Sequence, residues 1–143
     1  MPSTHDVERF VVAQAPVHEQ VLDELRAGRK RSHWMWFVFP QLRGLGHSDM
    51  AWRYGIADLA EARAYLAHPV LGPRLRECLG LVLDASGSAE DIMGAVDAVK
   101  LRSCVTLVEQ VEDDPTARAI LERWWDGRPD PRTLELLATR PSG

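Results

Sequence analysis

Apolar residues recur along most of this chain at intervals of three and four positions, the spacing that places side chains on one face of an α-helix. One such series starts after Pro16 and stops before Gly28, and longer series occupy residues 71–83 and 95–112. Proline favours the first turn of a helix and glycine favours the position just past its end, so these residues mark helix termini. The pattern predicts a mainly α protein with about seven or eight helices.

One stretch departs from this helical pattern. The sequence WMWFVF at residues 34–39 is the run most easily interpreted as a strand, but it is too short for its periodicity to distinguish a strand from a buried helix. Alternation along a strand would place Trp34 and Trp36 on one side and His33 and Met35 on the other. We therefore allow for one short extended segment near residues 33–39 within an otherwise helical fold.

The composition indicates a single compact domain spanning residues 1–143. The chain has 143 residues, of which 45% are hydrophobic, so it can form one substantial core but is too short for two domains of typical size. We find no internal repeat, linker or low-complexity segment. The formal net charge of −4 at pH 7 argues against bulk binding of nucleic acid, because proteins that coat nucleic acid are usually basic.

The same sequence argues against a membrane partner. No stretch approaches the ~20 apolar residues that a membrane-spanning helix needs, and residues 1–10 lack the apolar run of a signal peptide, so we expect a cytoplasmic protein. Its two cysteines, Cys78 and Cys104, lie in apolar helical patterns without metal-ligand spacing, which predicts buried free thiols. The histidines show no ligand spacing either, so neither a metal nor another cofactor is expected.

Residues 29–41, RKRSHWMWFVFPQ, place a basic cluster directly before the densest group of aromatic residues. A flat ring beside several cations is typical of a site for a nucleobase with attached phosphates. In this interpretation Trp34 or Trp36 stacks on the base, and Lys30 and Arg31 meet the phosphate. An equally open interpretation is a core segment with a solvated basic lead-in, because aromatic clusters usually belong to the core. The residues of this stretch that we predict to bind a ligand are Lys30, Arg31, Ser32, Trp34, Trp36 and Gln41.

A second candidate group lies in DAVKLRSCVT at residues 97–106. On a helix, Asp97 and Lys100 share one face three residues apart, and Ser103 lies beside them. Such a pair is often only a surface ion pair, but the neighbouring apolar residues would partly bury this one. A partly buried carboxylate near a polar opening is suited to act as a general base toward water. We predict Asp97 and Lys100 as catalytic residues and Ser103 as a ligand contact, with the surface-pair alternative left open.

Two stretches, SHWMWFVFPQLRGLG (residues 32–46) and YLAHPVLGPRLREC (residues 65–78), make the sequence similar to a known family. It resembles the bacterial DUF1810 family, some of whose members are misannotated as calpastatin. The resemblance extends from DVERF (residues 6–10) to TLELL (residues 133–137), which is nearly the whole chain. It implies a single, mainly α domain and no particular activity.

A remoter similarity connects this fold with the NADAR proteins, which are linked to cleavage of N-glycosidic bonds in ADP-ribose and to riboflavin-pathway chemistry. That similarity implies that the helix carrying Asp97, Lys100 and Ser103 corresponds to a polar helix lining their ligand site. The chain departs from the usual DUF1810 pattern at Cys104, where serine is common, and at Val108, where phenylalanine is common. Both departures would alter the surroundings of the site.

These observations favour a small enzyme that hydrolyses an N-glycosidic bond in a nucleotide or ADP-ribose-like ligand. Asp97 would activate water or stabilise an oxocarbenium ion, Lys100 would orient Asp97, and His33 would be a general acid or a positioning hydrogen bond. One alternative is a non-enzymatic binding module that uses residues 29–39 to hold a protein or nucleotide, and another is a protein whose aromatic residues are all core. The enzyme hypothesis requires that His33, Asp97 and Lys100 face one cavity. The sequence contains no signal for an oligomeric state.

Overall fold

A computed structural model describes residues 6–140, and within them the chain forms ten α-helices. In chain order they are α1 (Glu8–Gln14), α2 (His18–Arg26), α3 (Met35–Val38), α4 (Asp49–Arg53), α5 (Leu59–Ala67), α6 (Leu71–Asp84), α7 (Ala89–Met93), α8 (Ala95–Val111), α9 (Pro115–Trp125) and α10 (Pro131–Ala138). This architecture confirms the predicted mainly α fold. The helices that the sequence pattern misses are α3 and α4, because segments of four and five residues are too short to show an apolar period.

The short extended segment expected near residues 33–39 is instead a single helical turn, so that expectation is wrong. The backbone N–H of Phe39 donates to the carbonyl of Met35 at 3.1 Å, which closes the turn of α3. A helical turn distributes neighbouring side chains around its axis instead of alternating them between two faces. As a result Trp34 is buried whereas Trp36 is only partly buried, although a strand would have placed them on the same side.

Capping side chains explain where several of the described helices begin. At the start of α4, α5, α7, α9 and α10, a serine or aspartate side chain accepts a hydrogen bond from a backbone N–H of the first turn. These capping residues are Ser48, Asp58, Ser88, Asp114 and Asp130. The caps satisfy N–H groups that would otherwise lack partners, so they fix the first turn of each helix.

Helix α8 begins at Gly94, the same residue that ends α7. Gly94 has φ 88° and ψ 155°, a conformation that residues with a side chain rarely adopt, and it turns the chain between the two helices. No longer connection is needed, so the first turn of α8 is positioned directly by α7. This first turn carries Asp97.

Helix α8 lies at the centre of the domain. It packs against α5, α7, α9 and α10, and eight of its 17 residues are buried. The same hydrophobic core takes in aromatic side chains from several other elements, namely Phe10, Trp34, Phe37, Phe39, Tyr54 and Tyr65. Although α8 is the longest helix of residues 6–140, no helix in this range is long and apolar enough to cross a membrane.

Cys78 and Cys104 are free thiols buried in this core, as predicted. Removal from water disfavours the thiolate, which raises the pKa of Cys78 to about 12 and raises the pKa of Cys104 as well. Val108 is buried on the same helix as Cys104. Cys104 and Val108 therefore both lie within the core.

Candidate functional site

Asp97 lies between two lysine side chains at the start of α8. Its Oδ2 is 2.8 Å from Lys30 Nζ, and its Oδ1 is 3.5 Å from Lys100 Nζ. The side chains are 6% exposed for Lys30, 18% for Asp97 and 22% for Lys100, so the group is partly withdrawn from water. The helical spacing predicts the Asp97–Lys100 contact, but it does not predict the shorter contact with Lys30. Two positive charges and one negative charge leave an excess of one positive charge, which attracts an anion.

The loop between α2 and α3 (residues 27–34) holds Lys30 in this position. The backbone N–H of Lys30 donates to the carbonyl of Ile92 at 2.7 Å, and its ammonium group donates to the carbonyl of Ser32. The ammonium nitrogen also lies 4.9 Å from the centre of the Trp34 ring, which is a cation–π distance. Lys30 is therefore a fixed charge and not a freely moving surface lysine.

A buried carboxylate, Glu24 of α2, organises this loop. Its Oε1 accepts hydrogen bonds from the backbone N–H groups of Arg31 at 2.6 Å and Ser32 at 2.9 Å, and from the indole N–H of Trp34 at 3.1 Å. Its Oε2 accepts from the Ser32 hydroxyl at 2.7 Å. Burial by itself would raise the pKa of Glu24, but these hydrogen bonds outweigh it and lower the pKa to about 2. One ionised acid thus holds together the backbone of the basic cluster.

The importance of Glu24 for the loop is not predicted from the sequence, although the position of this residue on α2 contains a signal for it. Val21 and Leu25 lie on the buried face of α2, and Glu24 shares that face at helical spacing. An acid on an apolar helix face requires polar partners, because burying an unpaired charge is strongly unfavourable. The basic and polar residues that follow α2 supply those partners.

Three of the predicted ligand contacts lie away from the two cavities described below. Arg31 is exposed and contributes its backbone N–H to Glu24, and the Ser32 hydroxyl is bonded to the same carboxylate. Trp34 is buried in the core, which corrects the prediction that its ring stacks on a ligand. These three residues support the loop that carries Lys30.

The predicted catalytic residues line a cavity of about 380 Å³, which we call the lysine cavity. Its wall includes Lys30, His33, Trp36, Val96, Asp97 and Lys100. His33, Asp97 and Lys100 therefore meet the geometric requirement of the enzyme hypothesis, since all three face the same space. Lys100 Nζ lies 5.1 Å from the centre of the Trp36 ring, so the ammonium group covers one face of that indole.

A second cavity of about 480 Å³ adjoins the first, and we call it the glutamine cavity. Its wall includes Gln41, Leu45, Val96, Val99, Lys100 and Ser103. The two cavities share Ala95, Val96 and Lys100, all on the first two turns of α8. The buried Ser103 hydroxyl lies 3.1 Å from Asp130 Oδ2, so it is already engaged within the protein. Of the predicted ligand contacts, Trp36 thus lines the lysine cavity, and Gln41 and Ser103 line the adjoining glutamine cavity.

The chemical capabilities of this site follow from its charges. The lysine cavity combines an excess positive charge, a carboxylate and an imidazole, which are groups that bind anions and move protons. Within the part of the chain that the structure describes, no group of three His, Cys, Asp or Glu side chains is placed to hold a metal ion. The chemistry that we assign below uses the side chains of the two cavities.

Comparisons with known proteins give the same picture of the fold. The model of a family described as "protein of unknown function (DUF1810)" matches residues 4–137, which confirms the resemblance seen in the sequence. The crystal structure of the conserved hypothetical protein Rv1873 from Mycobacterium tuberculosis is similar over 96% of this chain and 100% of its own, with 54% sequence identity and a TM-score of 0.93. A search of curated proteins finds no match.

Proposed function

The chain belongs to the DUF1810 family, and we propose that it binds a small, anionic, nucleotide-like ligand in the lysine cavity and hydrolyses an N-glycosidic bond of that ligand. The observation that carries the proposal is the position of Asp97 between Lys30 and Lys100 in the wall of a cavity of about 380 Å³. This arrangement combines ligand binding and catalysis at one position. The cations attract an anionic ligand, and the carboxylate is oriented toward the ligand by its two partners.

The size and charge of the cavity support a phosphate-bearing ligand. Its volume lies within the range of small-molecule sites, roughly 300–1,000 Å³. Lysine binds phosphate as a point charge, without the fixed geometry of arginine. Lys100 is the more exposed of the two lysines, so its ammonium group is more open to a ligand than that of Lys30. We therefore assign the main phosphate contact to Lys100 and the anchoring of Asp97 to Lys30.

In the proposed reaction, water adds to the anomeric carbon of the ligand's ribose and the bond between that carbon and the base nitrogen breaks. Positive charge develops on the sugar as this bond breaks, and the Asp97 carboxylate stabilises it. Asp97 accepts the proton of the attacking water as a general base. His33, in its protonated form, donates a proton to the departing nitrogen of the base. The products are the free base and a ribose with a hydroxyl group at the anomeric carbon.

The remote similarity to the NADAR proteins supports the same reaction class. In that similarity, the helix carrying Asp97, Lys100 and Ser103 corresponds to a helix that lines a ligand site. In this chain the helix is α8, and its first turns form walls of both cavities.

The alternative of a non-enzymatic binding module is favoured by a different observation. Val96 and Val99, on the first two turns of α8, are 70% and 61% exposed. Exposed apolar side chains at the rim of a cavity are typical of surfaces that contact a partner. In a binding module these valines would matter more than the Asp97 carboxylate.

Base release by the purified protein separates the two functions. The probes are NAD, ADP-ribose, nicotinamide mononucleotide and GMP, and the free base is measured by liquid chromatography. We expect release from at least one probe, reduced roughly 10²–10⁴-fold in Asp97→Asn, while thermal stabilisation by that probe is retained. Asp23→Asn, which alters an exposed acid paired with Arg26 on α2, is the matched control and should keep the wild-type rate. A folded Asp97→Asn variant with wild-type base release would exclude this mechanism, and binding without base release would favour the binding module.

A further inference from the structure

The two cavities adjoin each other along the start of α8. They share Val96 and Lys100, and the Asp97 carboxylate lies 3.5 Å from the Lys100 ammonium group. A ligand longer than one cavity can therefore run from one space to the other past Lys100. Its middle part would then pass the carboxylate.

Gln41 is the feature of the glutamine cavity that requires an explanation. Its side chain lines the cavity, and the residue as a whole is only 8% exposed. Its backbone carbonyl accepts a hydrogen bond from the N–H of Ile56 at 2.9 Å, which fixes the main chain. The side-chain amide, by contrast, has no hydrogen-bond partner among residues 6–140. Because no buried side-chain nitrogen or oxygen atom of residues 6–140 lacks a hydrogen-bond partner, the amide atoms of Gln41 are open to the cavity, where they are available to bind a ligand.

The remaining walls of the glutamine cavity indicate what Gln41 would bind. Leu45, Val96 and Val99 provide apolar surface, Lys100 and Arg132 add two cations, and the buried hydroxyl of Ser103 is already bonded to Asp130. A glutamine amide presents one acceptor and a neighbouring donor, which is the complement of the donor–acceptor edge of a nucleobase. The apolar side chains beside such an amide suit the face of a flat heterocycle.

We propose, on the basis of the function proposed above, that the glutamine cavity holds the nucleobase of the ligand and that Gln41 recognises its edge. The phosphate lies in the lysine cavity near Lys100, and the ribose passes Asp97 between the two cavities. This assignment differs from stacking of the base on Trp36, because the Lys100 ammonium group covers one face of that ring. The N-glycosidic bond then falls beside Asp97, the residue to which we assign the cleavage.

The test compares ligands with and without a base. Binding of AMP, GMP, CMP, UMP and ribose 5-phosphate is measured by calorimetry, and chromatography verifies that each ligand stays intact during the titration. At least one mononucleotide should bind about tenfold more tightly than ribose 5-phosphate, and Gln41→Leu should remove most of that difference. Lys100→Ala should weaken ribose 5-phosphate and the mononucleotides alike.

Two further variants test whether any loss of affinity comes from the Gln41 amide itself. Gln41→Glu has nearly the same size but loses the amide donor, so it should change the order of the four mononucleotide affinities. Gln110→Leu alters an exposed glutamine at the far end of α8 and should leave all affinities unchanged. Circular dichroism verifies that each variant is folded.

The outcomes distinguish this inference from the function on which it rests. If ribose 5-phosphate binds as tightly as every mononucleotide, or if Gln41→Leu weakens all probes by the same factor, the base subsite is wrong while the anion site stands. If none of the five probes binds to the wild-type protein and no base is released from NAD, ADP-ribose, nicotinamide mononucleotide or GMP, the proposed function is wrong and the base subsite is wrong with it.

Discussion

Lys30 Nζ lies 2.8 Å from Asp97 Oδ2, and this contact joins the loop after α2 to the first turn of α8. The two residues lie far apart in the sequence, yet the candidate site requires both. Each charge is partly buried, so removing one partner takes away the closest opposite charge of the other. The ion pair therefore contributes to the stability of the protein as well as to its charge distribution.

The first prediction concerns the energetic coupling between these two residues. In a double-mutant cycle, Lys30→Met and Asp97→Asn should show a coupling free energy of about 1–3 kcal/mol, because each single change removes the closest opposite charge of a partly buried group. Urea unfolding of the wild type, both single variants and the double variant measures it. The matched control is the exposed pair of Arg26 and Asp23, at 3.7 Å, whose coupling should stay below about 0.5 kcal/mol. Equal couplings in the two cycles would contradict a structural role for the Lys30–Asp97 pair.

The second prediction is a pH dependence that originates from Glu24. Its pKa is lowered from 4.5 to about 2 in the folded protein, so its ionised form stabilises the fold. Because the folded-state pKa lies below the ordinary value, this stabilisation is complete above about pH 4.5 and is lost as the pH falls through 2. Glu24→Gln should lower the free energy of unfolding by about 3 kcal/mol at pH 6, and the gap to the wild type should shrink toward pH 2.

Urea unfolding at several pH values between 6 and 2 measures this gap. Glu122→Gln, which changes an exposed acid on α9, is the control and should follow the wild-type curve at every pH. A Glu24→Gln curve that runs parallel to that of the wild type from pH 6 to pH 2 would show that the hydrogen bonds to Glu24 do not depend on its charge.

The third prediction concerns the junction of α7 and α8. Gly94→Ala should lower the free energy of unfolding by about 1–3 kcal/mol, because φ 88° with ψ 155° is accessible essentially to glycine alone. No atom lies within 4 Å of an added Cβ, so the effect would come from backbone strain and not from a clash. Gly80→Ala is the matched control, since that glycine lies inside α6 with equally open surroundings. It should stabilise the protein by up to about 1 kcal/mol, and destabilisation by both variants to the same extent would contradict the backbone argument.

The fourth prediction concerns the accessibility of the thiols. Cys78 and Cys104 are buried and have raised pKa values, so the native protein should not react with a thiol reagent at pH 8. Both should react when urea unfolds the chain. Val12→Cys supplies an exposed thiol on α1 as a positive control that reacts at once. Rapid labelling of the native wild-type protein would mean that this part of the core opens readily.

The helical framework of the chain is predictable because its causes are local. Apolar spacing, prolines in first turns and capping side chains each act within a few residues, and they mark long helices such as α6 and α8. The helical turn at residues 35–38 is not predictable in the same way. A segment of this length has no period of its own, and its conformation depends on the core that surrounds Trp34.

The candidate site shows the same division between local and distant causes. The pairing of Asp97 with Lys100 follows from helical spacing alone, so the sequence predicts it. The contact of Asp97 with Lys30 depends on how α2 and its loop pack beside α8, which no local pattern encodes. For the same reason the sequence predicts that residues 30–36 include ligand contacts, but it does not show that Trp34 lies in the core and Trp36 in the cavity wall.

The ammonium group of Lys100, 5.1 Å from the centre of the Trp36 ring, makes this indole an intrinsic optical sensor of the site. An indole changes its emission wavelength when the electric field across its ring changes, and a nearby positive charge is a strong source of such a field. An anion that draws Lys100 toward itself would alter that field without touching the ring. Binding of an anion at the site should therefore shift the tryptophan emission wavelength of the unlabelled protein.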